Sequence, residues 1–206
     1  MAKELPILFT ADMVRVKRAG RKTVTRRVIV PQPEYVEHID EGSHYEWKDY
    51  QVDFDSDLVE FARYQPGDLL WTKESYCHGI EWDDCKPSEV DPLCGGSDIW
   101  YLADGPRPTE GWGKTRSGLF MPKWVARTRL EVVSVRAERL QDITEEDAIR
   151  EGALFTTDPS GKVDWSEGFA IACFCKLWDS INLKRGYPWE SNPWVWRIEF
   201  KEATNG

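Results

Sequence analysis

The sequence predicts a small α+β domain whose strands form a curled sheet or a barrel. Two observations predict this class. Short segments with the composition or alternation of strands are separated by two or three segments with helical periodicity. In addition, 206 residues with 41% hydrophobic side chains are enough to bury a core within a single domain over residues 1–206.

The first elements are expected to be a strand, a helix and a basic segment. Pro6–Phe9 is a brief apolar run and predicts the strand. Thr10 suits a helix N-cap and Gly20 suits the position just after a helix end, so we expect a helix between them. The following segment, 21–30, is rich in β-branched residues, ends at Pro31 and is expected to be a turn or a strand.

Three further strands are expected. Pro66 and Gly67 form a turn pair, and a strand from Leu69 to Glu74 follows it. The next strand is expected from Trp124 to Val135. The last is NPWVWRIEFK, whose alternation predicts a half-buried strand.

Two helices are expected in the second half of the chain. Thr144 suits an N-cap, with Asp147 at the capping-box position and Gly152 at the helix end. The second helix is expected from about Ser166 to Asn182, because its apolar residues recur at helical spacing. Cys173 lies on that apolar face and is expected in the core.

Two irregular insertions are expected, at about residues 31–63 and 77–118. The first is acidic and lacks a clear period. The second contains residues 91–118, a stretch with six glycines and three prolines that predicts a loop. Loops of this length in a compact domain are usually functional or disordered.

The charges are unevenly distributed along the chain. Residues 11–27 carry seven Lys or Arg against Asp12 alone, whereas residues 34–60 carry ten Asp or Glu against Lys48 alone. A basic segment on a chain of net charge −9 can bind an anion locally, but the whole molecule would be repelled by long nucleic acid. This favours a small anionic or polar ligand, or a defined nucleotide.

Several classes of protein and site are disfavoured. No apolar run approaches the roughly 20 residues of a membrane span, and the N-terminus lacks a signal-peptide pattern, so we expect no membrane partner. An odd number of cysteines suits a reducing compartment, and a cytoplasmic location is expected. No metal or cofactor is expected, because the candidate zinc ligands lack paired spacing. These are Cys77, His78, Cys85 and Cys94.

The basic segment AGRKTVTRR is the best candidate for chemistry. The three histidines lie in or beside the insertions, so acid–base catalysis would depend on Lys and Glu. Burial and neighbouring arginines would lower the pKa of Lys22, which would then act as a base and activate Thr25. Glu151 precedes Gly152 and faces the negative end of a helix dipole, so it would favour a cation such as Lys22. Alternatively, Glu151 is a solvated helix residue.

One geometric condition applies to this site. In a regular strand Lys22 and Thr25 would project to opposite faces. The catalytic interpretation therefore requires a turn or a bulge after Gly20.

The order of these motifs resembles the ASCH family of the PUA-like superfamily, with its long phage and prophage members. The resemblance is carried by PILF, a helix and AGRKTVTRR, then YQPGDLLW, LEVVSVRAERLQDITEEDAIREG and WVWRIEF. It covers residues 6–30, 64–76, 121–154 and 169–200. It implies a PUA-like β-barrel with flanking helices and a cleft suited to a nucleobase or nucleotide.

The resemblance also implies an activity. Small bacterial members of the family hydrolyse the amide of N4-acetylcytidine with a lysine, a threonine and a glutamate, which correspond here to Lys22, Thr25 and Glu151. Lys22 would deprotonate Thr25, whose Oγ would attack the acetyl carbonyl, and Glu151 would hold Lys22 or handle the proton of the leaving amine. Arg21 or Arg26 would stabilise the oxyanion.

Two further residues are candidates for binding the base. Trp71 would stack on it, unless Trp71 is a core residue. Glu74 would bind its amino edge, unless Glu74 is a solvated strand residue. The chain is much longer than the small enzymes, and its insertions would reshape the cleft.

Two other functions remain open, because a fold does not determine chemistry. The first is a PUA-like module that binds RNA or a modified nucleotide without catalysis, with its arginines on the phosphates. The second is a phage accessory factor that binds a host protein through the acidic insertions.

Overall fold

The computed structural model describes residues 2–33, 35–39, 42–46, 61–95, 98–153 and 168–203. The chain forms two compact units. The first consists of Met1–Gly20, Asp68–Glu131 and Glu202–Gly206, and the second of Arg21–Gly67 and Val132–Lys201. Each unit combines strands with helices, which confirms the mixed α+β class.

The elements follow one another in an order close to the predicted one. The strands are β1 (Glu4–Leu8), β2 (Val24–Val28), β3 (Tyr35–Ile39), β4 (Gly42–Glu46), β5 (Leu69–Lys73), β6 (Tyr76–His78), β7 (Ile99–Tyr101), β8 (Arg129–Arg139) and β9 (Trp194–Glu202). The α-helices are α1 (Ala11–Arg18), α2 (Pro92–Gly95), α3 (Glu145–Arg150) and α4 (Phe169–Asn182). Short 3-10 helices span Ile80–Trp82, Leu102–Asp104, Gly118–Phe120, Lys123–Val125, Leu140–Asp142, Leu183–Arg185 and Trp189–Ser191.

In the first unit, β5 lies between β1 and the start of β8. It runs parallel to β1, with Glu4 opposite Leu69, and antiparallel to β8, with Leu70 opposite Leu130. Leu70 and Leu130 are both 0% exposed, so this pairing is in the core. A second, two-stranded sheet pairs β6 with β7.

The predicted ends of α1 are confirmed. Thr10 caps the helix, because its side-chain oxygen accepts a hydrogen bond from the Met13 amide at 3.3 Å. Gly20 follows the C-cap residue with a φ of +72°, a conformation that glycine adopts without strain.

In the second unit, β9 lies between β8 and β2. β2 and β9 are antiparallel, with Thr25 opposite Ile198 and Arg26 opposite Arg197. β3 and β4 form an antiparallel hairpin. A core cluster joins residues around α3 and α4 to β9: Leu140, Ile143, Ala148, Ala153, Ala170, Cys173, Phe174, Trp178 and Val195. The predicted core position of Cys173 is confirmed.

The start of α3 is the predicted one, but one capping interaction differs. Thr144 Oγ1 accepts a hydrogen bond from the Asp147 amide at 3.2 Å, and Gly152 follows with a φ of +80°. The Asp147 carboxylate does not act as the second half of a capping box. It binds Arg26 and Arg197 instead, because two guanidinium groups attract a buried carboxylate more strongly than one amide does.

The prediction of two wholly irregular insertions was wrong. Residues 31–63 contain the hairpin β3–β4, and residues 91–118 contain α2 and β7. These strands are short runs with β-branched or aromatic residues, and the surrounding acidic or glycine-rich composition conceals their period. Residues 47–60, and the predicted helix start at Ser166, lie outside the described residues.

Two strands also differ from their predictions. The chain at Lys123–Val125 forms a 3-10 turn, and β8 begins only at Arg129 and continues to Arg139. β9 is buried on both faces near its start, since Val195 and Arg197 are 0% and 5% exposed, so the half-buried pattern was wrong. The two faces differ chemically: Val195 packs in the apolar core, whereas Arg197 is neutralised by a carboxylate.

Closure of the sheet into a barrel and the single-domain organisation stay predictions. Within the described residues, none of the helices combines the length and the apolar character needed to cross a membrane.

Candidate active site

Lys22 and Glu151 form a buried ion pair in the second unit. Nζ of Lys22 donates to Oε2 of Glu151 at 2.7 Å, and the two side chains are 0% and 3% exposed. The same ammonium donates to the backbone carbonyls of Glu151 at 2.8 Å and Val24 at 2.9 Å. Each of its three N–H bonds therefore has an acceptor. The alternative that Glu151 is a solvated helix residue was wrong.

The local backbone explains how Lys22 reaches Glu151. β2 begins at Val24, so Lys22 precedes the strand and the alternation of strand faces does not apply to it. The chain turns at Gly20 itself, which has a φ of +72°, and residues 21–23 that follow it are not part of a strand. The Thr23 amide donates to the carbonyl of Arg150 at 3.0 Å, which holds this segment against the end of α3, where Glu151 is the C-cap residue.

Opposing influences act on the pKa of Lys22 in this ion pair. Burial lowers the pKa of Lys22, while the Glu151 carboxylate acts in the opposite direction. Arg27 and Arg26 lower the pKa of Lys22 further, as expected from the sequence. The ammonium also offsets the unfavourable position of a carboxylate at the C-terminal end of a helix.

Thr25 lies in β2 and is 1% exposed. The Val24 carbonyl that accepts from Lys22 belongs to the peptide that joins Val24 to Thr25. The ammonium is therefore next to the backbone of Thr25. None of the three acceptors named above belongs to the Thr25 side chain.

Arg26 connects this ion pair to two more carboxylates. Its Nε donates to Oε1 of Glu138 at 2.7 Å, and its Nη2 donates to Oδ2 of Asp147 at 2.7 Å. Its Nη1 donates to Oε1 of Glu151 at 3.3 Å. Arg26 is 3% exposed, so its guanidinium is committed to three carboxylates inside the protein.

Arg197 completes the arrangement from β9. Its Nε and Nη2 donate to the two oxygens of Asp147 at 2.6 and 2.8 Å, a two-point contact. Arg197, followed by Arg26, holds the pKa of the Asp147 carboxyl far below its usual range. We call the six residues of this arrangement the charged cluster: Lys22, Arg26, Glu138, Asp147, Glu151 and Arg197. It contains three cations and three carboxylates, all buried.

Three members of the charged cluster were not identified from the sequence. Glu138 and Arg197 were not candidates, and Asp147 was predicted only as a helix-capping residue. One signal was available for Asp147, because it precedes Glu151 by four residues and such pairs share a helix face. Arg197 had no such signal, since strand alternation assigned it to the solvent face.

The remaining candidates behave differently. Arg21 is exposed, whereas Trp71 is half-buried in β5. Glu74 is 0% exposed, and both of its oxygens accept hydrogen bonds from Arg127 at 2.9 Å. The alternative that Glu74 is a solvated strand residue was therefore wrong, because a guanidinium replaces its water.

Among the described residues, no group of three or more His, Cys, Asp and Glu has an arrangement that could hold a metal ion. Cys77, Cys85, Cys173 and Cys175 are free thiols.

Comparison with known proteins gives one structural likeness. No protein-family model matches the chain, and no curated protein matches it. Among solved structures, the chain is similar to an ASCH domain from Lactobacillus crispatus, with 12% identity and a TM-score of 0.40. The likeness covers 97% of this chain and 79% of that one. Membership of the ASCH family stays a prediction.

Proposed function

We propose that this chain is an ASCH-type amidohydrolase that cleaves the amide of an acylated pyrimidine nucleoside such as N4-acetylcytidine. The observation that carries the proposal is the buried contact between Lys22 and Glu151, 2.7 Å long and next to the backbone of Thr25. A PUA-like barrel with a cleft for the base is part of the proposal.

In the proposed mechanism, Lys22 first transfers a proton to Glu151. Burial favours this step, because a neutral amine and a carboxylic acid need less solvation than two charges. The neutral Lys22 then takes the hydroxyl proton of Thr25, and Oγ1 attacks the acetyl carbon. The tetrahedral intermediate expels the N4 amine, which receives a proton from Lys22. Water then hydrolyses the threonine ester, which restores the Thr25 hydroxyl and releases acetate and a proton to solvent. Glu151 finally returns its proton to Lys22.

The other charged residues would have supporting roles. Arg26 would fix Glu151 from the side opposite to Lys22, since its Nη1 already donates to Oε1. The exposed Arg21 would then stabilise the oxyanion, because the guanidinium of Arg26 is committed to carboxylates. Trp71 and Glu74 belong to the first unit, and their contact with a base stays a prediction that the proposed mechanism does not use.

The proposal requires the scissile amide to reach Thr25, which is 1% exposed. Opening of the residues that cover Thr25 is therefore a step of the proposed cycle.

The test is an assay of N4-acetylcytidine hydrolysis, in which the reaction is monitored through the change in absorbance of the base. We expect turnover by the wild type, and its loss in Lys22→Ala and in Thr25→Val, which keeps the side-chain volume but lacks the hydroxyl. Lys184→Ala removes an exposed lysine from the second unit and should leave the rate unchanged. Circular dichroism establishes that each variant is folded. Full turnover in Thr25→Val would overturn the mechanism.

A second candidate function is a PUA-like module that binds RNA or a modified nucleotide without catalysis. It is favoured by the three acceptors of the Lys22 ammonium, an arrangement typical of a static ion pair. Its test is the salt dependence of RNA binding. Several phosphate contacts give a steep loss of affinity with salt, whereas a neutral nucleoside gives almost none.

A further inference from the structure

A polar pocket with a volume of about 360 Å³ lies within the first unit. This volume is in the range of small-molecule sites, but such sites are usually lined by apolar residues. Here four of the lining side chains are cationic and one is a carboxylate. These are Lys17, Arg18, Arg127 and Arg129, and Glu202. The lining therefore suits an anion.

Lys17 is the buried member of this pocket. Its side chain is 4% exposed, and its Nζ donates to Oε1 of Glu202 at 2.5 Å. Among the described residues, this is the only hydrogen-bond acceptor of the Lys17 ammonium, whereas an ammonium group has three N–H donors. A buried cation with unused donors is unfavourable, so the position is improved by a ligand that supplies further acceptors.

Glu202 occupies the pocket as a replaceable anion. Its side chain is 73% exposed at the end of β9, and in the described part of the chain Lys17 is its only ion-pair partner. The hydrogen bond from Lys17 lowers the pKa of Glu202, so the carboxylate is charged at neutral pH. Since most of its surface already contacts water, it can rotate fully into solvent, and the contact that it then loses is the ion pair with Lys17.

The arginines are held in place by other carboxylates. Arg127 binds Glu74 and Asp104, and Arg18 also binds Asp104 through Nη1. Within the described residues, Nε and Nη2 of Arg18 have no acceptor, so these two atoms retain three N–H donors.

Arg129 makes a long contact of 3.4 Å to Glu4. The four lining cations are thus paired with four carboxylates. Displacement of Glu202 leaves one positive charge in excess, and a ligand with two charges and several oxygens would use it best.

We propose that this pocket binds the dianion of a phosphate monoester, which replaces the Glu202 carboxylate on Lys17 and accepts hydrogen bonds from Arg18 and Arg129. The phosphate is either free or part of a nucleotide. The proposal does not depend on amide hydrolysis, because it concerns binding by residues that the hydrolase mechanism does not use.

The test is isothermal titration calorimetry of the full chain with inorganic phosphate. We expect Glu202→Gln to bind phosphate about tenfold more tightly than the wild type, because the competing charge is removed. Lys17→Met should weaken binding by at least about tenfold, through the loss of a charge-assisted hydrogen bond. Glu110→Gln is the matched control, since it removes an exposed carboxylate of the same unit outside the pocket lining, and should leave binding unchanged.

Cytidine 5′-monophosphate distinguishes the two sources of the phosphate. Tighter binding than that of inorganic phosphate, with the same dependence on Lys17, identifies a nucleotide site, and equal binding identifies a site for the phosphate group alone. The proposal is overturned if Glu202→Gln binds phosphate no more tightly than Glu110→Gln. This comparison decides the question even if Lys17→Met does not fold.

Discussion

Arg26 of β2 lies directly opposite Arg197 of β9, and one oxygen of Asp147 accepts hydrogen bonds from both, at 2.7 and 2.6 Å. Like charges opposite each other destabilise a strand pair. Water cannot solvate these two guanidinium groups, because Arg26 and Arg197 are only 3% and 5% exposed. Asp147 is the countercharge that these two arginines share, and through them it connects α3 to β2 and β9.

We predict that Asp147→Asn lowers the free energy of unfolding by about 3–5 kcal/mol, because it leaves two buried guanidiniums without their shared countercharge. Urea denaturation measures the change. Glu146→Gln is the matched control on the same helix, and its exposed side chain should contribute less than about 1 kcal/mol. Equal losses in the two variants would contradict the role assigned to Asp147.

The same carboxylate predicts a pH dependence of stability. Arg197 and Arg26 hold the pKa of Asp147 below its unfolded value of about 3.9. The stability from this group is therefore present above about pH 3.9 and is lost as the pH falls towards the lower folded pKa. We expect the free energy of unfolding to fall more steeply below about pH 5 in the wild type than in Asp147→Asn. Identical slopes would contradict this.

Local signals in the sequence identified the helix ends correctly. Thr10 and Thr144 cap α1 and α3, and Gly20 and Gly152 follow their ends with positive φ. These predictions succeed because capping depends on a few neighbouring residues. The sequence showed that Lys22 and Glu151 would suit each other as partners, but not that they meet. Their contact also requires α3 to pack beside the start of β2.

Burial of the charged cluster could not be predicted from local patterns. Alternation assigns Arg197 to the solvent, and its burial depends on a carboxylate that is supplied by another element, α3. The pairing of β7 is non-local as well, because its partner β6 lies on the far side of an irregular segment. In both cases the hydrogen-bond partner is distant in sequence. The guanidinium of Arg197 binds the carboxylate of Asp147, and the backbone of β7 pairs with β6.

The cap of α3 gives a smaller, local prediction. Thr144→Ala should lower the free energy of unfolding by about 1 kcal/mol, because the Asp147 amide loses the Oγ1 acceptor. Thermal and urea denaturation measure the effect. Thr144→Ser keeps the oxygen and should retain most of the stability. If serine and alanine destabilise equally, the methyl group of Thr144 and not its cap is responsible.

The pair Lys22–Glu151 gives the sharpest prediction. Either Lys22→Met or Glu151→Gln should destabilise the protein by about 3–5 kcal/mol, because each leaves an opposite charge buried. In the double variant neither charge remains, so the combined loss should be smaller than the sum, with a coupling of up to about 3 kcal/mol. A double-mutant cycle by urea denaturation measures this coupling.

The reference for this cycle is the exposed pair Lys86–Glu89, whose side chains are 3.1 Å apart and whose coupling should stay below about 1 kcal/mol. A large coupling at Lys22–Glu151 means that the two charges depend on each other. Direct contact between Nζ and Oε2 is the condition for the proposed proton transfer, and a large coupling is the energetic sign of that contact. Additive losses would instead mean that Arg26 holds Glu151 without Lys22, and the proposed transfer would lose its structural basis.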